Sequence, residues 1–235
     1  MNKIFGYDSK AMRFLGKVAD LIFLNMLFMI CCIPIVTIGA AQAGQYRAVL
    51  AMQDPDSEYT WFQAFVKGFK DGFWNITVAS TLMLLLIFAV GINAFMVIFY
   101  ENATQDTNSI VWVCLVGAAI LMIFYSTMTL FHSRFGCKPW QLLRNGIVVA
   151  MFNPLQAIIN AVLMWAPLIV FLLDVVIFIY ITPLWLLGYY SIVSYFTVRL
   201  FRVPFQVLLN NYNEVNGITD ENTSEDEAEE DYEEN

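Results

Sequence analysis

Lysine and arginine are missing from two long stretches of this chain. None lies in the 63 residues between Lys70 and Arg134, nor in the 54 between Arg144 and Arg199. Each stretch has room for two bilayer-spanning helices of about 20 residues. Histidine occurs once, at His132, and cysteine at Cys31, Cys32, Cys114 and Cys137. No CxxC or HxxxH spacing is present, and the adjacent Cys31 and Cys32 make a poor disulfide pair, so the cysteines read as small packing residues. Neither a metal nor a cofactor is expected. The sequence also lacks a phosphate-binding loop and a nucleophile paired with histidine, and no Asp, Glu, Lys or Arg reads as membrane-buried in its five segments. Acid–base catalysis, proton relay and cation coordination usually need such a group, so the reading is of a protein that is not an enzyme, with no catalytic residue assigned.

What is present is apolar. Hydrophobic residues make up 59% of the chain and the mean hydropathy is +0.63, above the roughly 45–50% apolar content of soluble domains. Acidic residues stand near the middle of each basic-free stretch: Glu101 and Asp106 in the first, Asp174 in the second. Because cytoplasmic loops are enriched in Lys and Arg, the pattern draws two hairpins with their tips outside and their feet in the cytoplasm. The expectation is an all-α, polytopic helical bundle in a cell membrane, with about five membrane segments and the C-terminus cytoplasmic. Lipid is the expected surrounding and nucleic acid is not an expected partner.

The net charge of -8 is a property of one end. Asp220 to Asn235 holds ten acidic residues and no basic one, leaving a body of 12 basic against 10 acidic residues. Residues 214–235 therefore read as a solvated acidic tail, and residues 1–213 as one membrane domain. Two stretches read as helices lying at the interface. Residues 4–17 mix Ile4, Phe5, Met12, Phe14 and Leu15 with Lys3, Lys10, Arg13 and Lys17; residues 58–73 place Trp61, Phe62, Phe65 and Phe69 opposite Lys67, Lys70 and Asp71.

Segment one runs from Val18 to about Ala43, too long for a signal-peptide core, and contains Pro34, Thr37 and Gly39. Proline removes a backbone donor and glycine loosens the helix, so a break is expected around residues 34–39. If the segment crosses, its basic N-terminus lies outside, against the charge rule; if it dips in and returns, every basic cluster is cytoplasmic. Length favours crossing and charge favours re-entry. Further segments are expected at Trp74–Tyr100, Ile110–Phe131, Ile147–Leu173 and Val175–Val198. Asp174 reads as the turn between the last two, with Pro167 and Pro183 as kinks. The stretch joining segments two and three holds a glycosylation sequon, Asn102-Ala103-Thr104, a match common by chance. The Trp and basic-Gly pattern before each hairpin, Trp61 to Lys67-Gly68 and Trp140 to Arg144-Asn145-Gly146, suggests a duplication as readily as chance likeness.

Candidate ligand-binding residues are the polar groups at membrane depth. Thr37, Gln42 and Gln45 flank the break, where a restarting helix aims free backbone donors inward. Asn93 and Asn160 sit inside apolar segments, and most such amides simply bond between helices. His132 and Arg134 mark a helix foot, where an anion could bind or a basic pair could snorkel.

The runs Ile33-Pro34-Ile35-Val36-Thr37-Ile38-Gly39-Ala40-Ala41, Trp61 to Phe73, and Phe131-His132-Ser133-Arg134-Phe135 followed by Leu142-Leu143-Arg144-Asn145-Gly146 resemble the YesL family over roughly residues 1–213. Ala40 stands where that family usually has Pro, and Gly146 where it has Ala. The resemblance implies a multi-pass membrane protein of Gram-positive bacteria with a domain of unknown function. It also implies an accessory or regulatory role in carbohydrate uptake, with transporter subunits or a sensory kinase as partners. A small transporter or channel for a saccharide or other solute, and a lipid-binding envelope protein, are the alternatives.

Overall fold

A computed structural model describes residues 10–54, 57–100, 105–135, 138–203 and 205–206. The chain divides into two compact units, Met1–Arg199 and Leu200–Asn235. The expected acidic tail, the sequon and the first residues of the expected N-terminal interfacial helix lie outside the described residues.

The described residues are mostly helical: α1 (Lys10–Cys31), α2 (Ile38–Gln53), α3 (Trp61–Lys70), α4 (Phe73–Tyr100), α5 (Gln105–Phe135), α6 (Pro139–Phe152), α7 (Pro154–Leu173), α8 (Val175–Leu184) and α9 (Tyr190–Leu200). Among the described residues, five stretches are long and apolar enough to cross a membrane: Phe14–Cys31, Phe73–Val97, Ser109–Phe135, Pro154–Leu173 and Val175–Leu200. Their outer surfaces are apolar rather than polar, with Phe88, Val113, Leu173 and Tyr180 among the exposed side chains. That inversion of a soluble protein's surface is what a lipid solvent selects.

α2 is the centre of the first unit. It packs on α1, α3, α4 and α5, and Gly39, Ala40, Ala41, Ala43, Gly44 and Ala48 on it are all buried. Without a hydrophobic drive between helices in lipid, small residues permit the close backbone approach from which packing energy comes. At Gly44 a Cβ would stand 2.9 Å from the Phe65 carbonyl oxygen and 3.2 Å from Phe69 N, so α3 lies against bare α2 backbone. The entry to α3 is a capping box. Thr60 Oγ1 accepts from Gln63 N at 3.4 Å and Gln63 Oε1 accepts from Thr60 N at 3.2 Å.

Several boundaries differ from those expected. Residues 10–17 continue directly into α1 and form no separate helix. The break in segment one is present, but beyond it α2 is an independent helix extending to Gln53. Segment four is two helices: Pro154 has no N–H to continue α6, and Asn153 leaves helical geometry at φ -131, ψ 61. Asp174 caps α8, its Oδ1 accepting from Val176 N (2.7 Å) and Ile177 N (3.2 Å). Pro167 stays within α7. Pro183 precedes a π turn, Trp185–Tyr189, that links α8 to α9. In the second unit, Phe205 N donates to the Phe201 carbonyl at 3.1 Å.

Candidate functional site

A buried polar belt runs through the middle of the first unit. Gln42 and Tyr46 are one turn apart on α2, and Gln42 Nε2 donates to the Tyr46 hydroxyl at 3.5 Å. That hydroxyl donates in turn to Asn160 Oδ1 on α7 (3.4 Å), which also accepts from Thr197 Oγ1 on α9 (3.0 Å). Asn160 Nδ2 reaches the Ser126 carbonyl on α5 at 3.5 Å, and Ser126 Oγ accepts from Trp165 Nε1 at 3.1 Å. A second branch starts at Gln45, whose Nε2 donates to Ser191 Oγ at 3.1 Å. Ser191 N donates to Asn25 Oδ1 at 3.2 Å, so the belt ties α1, α2, α5, α7 and α9 together.

Asn25 has a further task. A π turn widens the helix and frees carbonyls that lipid cannot satisfy. Asn25 Nδ2 donates to two of them, Trp185 O at 3.1 Å and Leu186 O at 2.7 Å. Two buried oxygens of the belt region have no such partner: Gln45 Oε1 and the Tyr125 hydroxyl.

Beside the belt lies a cavity of about 300 Å³, walled by α1, α2, α4, α5, α7 and α9. Phe28, Met164, Leu168 and Tyr190 supply much of its apolar wall, while Gln42 and Tyr125 bring the polar groups. The Tyr125 ring packs edge-on to Trp165 at 5.6 Å. A cavity so lined suits a mostly apolar guest carrying one or two hydrogen-bonding atoms.

A smaller, polar pocket of about 220 Å³ lies where α2, α3 and α5 meet, lined by Arg47, Asp71, His132, Ser133 and Arg134. Arg47 Nη1 pairs with Asp71 Oδ2 at 2.7 Å, with both side chains partly exposed. His132 Nε2 donates to the Asp71 carbonyl at 3.1 Å, which requires the proton on that nitrogen. Gly72 adopts φ +65, and a Cβ there would meet His132 Cε1 at 2.9 Å, so the turn before α4 and its contact with the imidazole both require glycine.

The candidate residues fall into three groups. Gln42, Gln45 and Asn160 join one belt, and His132 and Arg134 line the polar pocket. Thr37 and Asn93 enter neither. Thr37 Oγ1 bonds the Cys31 and Pro34 carbonyls, at 2.6 and 2.7 Å, and closes the turn between α1 and α2. Asn93 Nδ2 bonds Ala89 O of its own helix at 2.8 Å and faces outward. Tyr46, Tyr125, Ser126 and Trp165 carry no signal in the sequence, since aromatics and small hydroxyls are ordinary in membrane helices. Asn25 was legible in principle, as an amide inside an apolar run. Among the described residues no group of three or more His, Cys, Asp or Glu could hold a metal.

A family model described as "Protein of unknown function, DUF624" matches residues 21–94. That region carries the second half of α1, all of α2 and α3, and α4 to Ala94, and with them Asn25, Gln42, Gln45, Arg47 and Asp71. Neither a curated protein nor a solved structure matches the chain.

Proposed function

We propose that this chain is a non-enzymatic, multi-pass protein of the bacterial cell membrane that holds one amphipathic bilayer component in the cavity beside α2. The composition of the cavity wall carries this reading. Phe28, Met164, Leu168 and Tyr190 offer contact area to an apolar chain, and Gln42 offers a hydrogen bond to its polar end. A saccharide would need a partner for nearly every hydroxyl and would leave most of them unpaired here, at roughly 1–3 kcal/mol each. The groups of the belt are amides, hydroxyls and an indole, suited to holding a ligand and without a titrating acid or base near neutrality.

The test is the lipid content of the protein purified in mild detergent, measured by native mass spectrometry. The expected result is a retained lipid on the wild-type chain. Gln42→Leu removes one hydrogen bond of about 1 kcal/mol and weakens retention about fivefold, while Leu168→Trp fills the cavity and abolishes it. An unchanged lipid complement in Leu168→Trp overturns the reading.

The likeness to YesL proteins supports an accessory or regulatory role beside a carbohydrate transporter or a sensory kinase. It rests on the three sequence runs and is independent of the cavity. Recovery of such a subunit with the natively expressed protein is the expected outcome, and repeated failure to recover one counts against it. The distribution of Lys and Arg supports a cytoplasmic C-terminus.

A further inference from the structure

We infer that α1 and α2 form a re-entrant hairpin that enters and leaves the membrane on one side, so that four of the five apolar stretches cross and Phe14–Cys31 does not. This path of the chain does not depend on what the cavity holds.

Asp20 sets the depth. It lies within α1 and accepts a hydrogen bond from Trp61 Nε1 at 3.1 Å. Trp61 opens α3, the amphipathic helix that carries Lys67 and Lys70. Asp20 therefore lies at the level of an interfacial helix, and only the 11 residues from Leu21 to Cys31 are left for immersion. At 1.5 Å per residue they reach about 16 Å, roughly half of a 30 Å hydrocarbon core.

The return path agrees. Asn25 on the way in and Gln45 on the way out both bond Ser191, and Cys32 and Ile38 line the same cavity. The two helices thus run antiparallel with their open ends toward α3. A Cβ on Gly39, at the start of α2, would collide with Ser80 Oγ and touch the Ile76 carbonyl. Both partners belong to the first third of α4. The apolar part of α4 continues to Val97, roughly 25 Å beyond Ser80, so the tip stops well short of the far face.

The tip itself has the chemistry of a turn in lipid. Ile33 and Ile35 are 78% and 73% exposed, with Val36 beside them, and no charge lies between Cys31 and Gln45. At a water interface this turn would present three bare aliphatic side chains. In hydrocarbon the requirement is instead that backbone groups be satisfied internally. Thr37 Oγ1 does so for the Cys31 and Pro34 carbonyls, and Thr37 N donates to Pro34 O at 3.0 Å. Re-entry also places Lys10, Arg13 and Lys17 on the side of Lys67 and Lys70, which resolves the conflict between segment length and the charge rule.

The experiment is side-specific labelling with a membrane-impermeant maleimide, in right-side-out and inverted vesicles, after Cys31, Cys32, Cys114 and Cys137 are replaced by alanine. Lys17→Cys and Lys67→Cys are expected to react from one side and Ser109→Cys from the other. Ile35→Cys is expected to react at least about tenfold more slowly than any of them from either side, since hydrocarbon suppresses the thiolate. Reaction of Lys17→Cys from the side of Ser109→Cys, or rapid reaction of Ile35→Cys from that side, overturns the inference. A cysteine-intact chain provides an independent readout if the substituted one fails to fold. An epitope at its N-terminus should be digested from the same side as one inserted after Ser57, and digestion from opposite sides is equally fatal.

Discussion

At the scale of single residues, the distinction that matters is between an amide that joins helices and one that serves its own. Asn25 and Asn93 look alike in the sequence, each an asparagine in an apolar run. Asn25 is fully buried and makes three contacts to the π turn and to Ser191; Asn93 bonds only Ala89 within α4. Hydrogen bonds between membrane helices contribute about 0.6 kcal/mol on average, so Asn25→Leu should lower stability by roughly 2 kcal/mol. Asn93→Leu should change it by less than about 0.5 kcal/mol. Unfolding midpoints in mixed detergent micelles decide between them, and equal losses would refute the special standing given to Asn25. The same contrast explains which parts of the site were legible. Gln42, Gln45 and Asn160 stand out as amides among aliphatics, whereas Tyr125 and Trp165 have no distinguishing mark until the structure places them on one wall.

At the scale of elements, long apolar runs identify α4, α5, α7 and the α8–α9 pair, because a bilayer imposes both length and composition. Two elements escape that logic. The division between α6 and α7 is invisible to hydropathy, since apolar residues continue on both sides of Asn153-Pro154. α2 is hidden for the opposite reason. Its sequence, IGAAQAGQYRAVLAMQ, reads as a polar fading of segment one, yet it is the helix around which α1, α3, α4 and α5 pack. Small residues and glutamines there reflect close packing and internal hydrogen bonds rather than contact with water. Gly44→Ala tests this, because the added carbon meets α3 backbone that cannot swing aside. A loss of about 1–3 kcal/mol is expected. Gly91→Ala, where nothing lies within 4 Å, should be neutral or gain up to about 1 kcal/mol from helix propensity. Thermal unfolding of the two purified variants supplies the comparison, and a Gly44→Ala protein as stable as Gly91→Ala would remove α2 from the centre of the packing argument.

At the scale of the whole molecule, the lengths of the crossing helices bear on the membrane that suits it. The apolar parts of α4 and α5 comprise 25 and 27 residues, and that of α7 comprises 20. At 1.5 Å per residue these are about 37, 40 and 30 Å, against a hydrocarbon core of roughly 30 Å. The α4–α5 pair must therefore tilt or thicken the lipid around it, while α7 matches an average bilayer. Thinning the bilayer raises the mismatch of the longer pair, at fractions of a kcal/mol per Å. A core thinner by about 5 Å should thus cost on the order of 1–3 kcal/mol. Reconstituted in phosphatidylcholines of increasing chain length, the protein is expected to unfold at a higher temperature in 18-carbon than in 14-carbon lipid. A midpoint that falls as the bilayer thickens would mean that α4 and α5 are not both immersed along their apolar lengths. That result would move the far ends of the hairpin into water, and with them the depth scale against which the tip of α1 and α2 is measured.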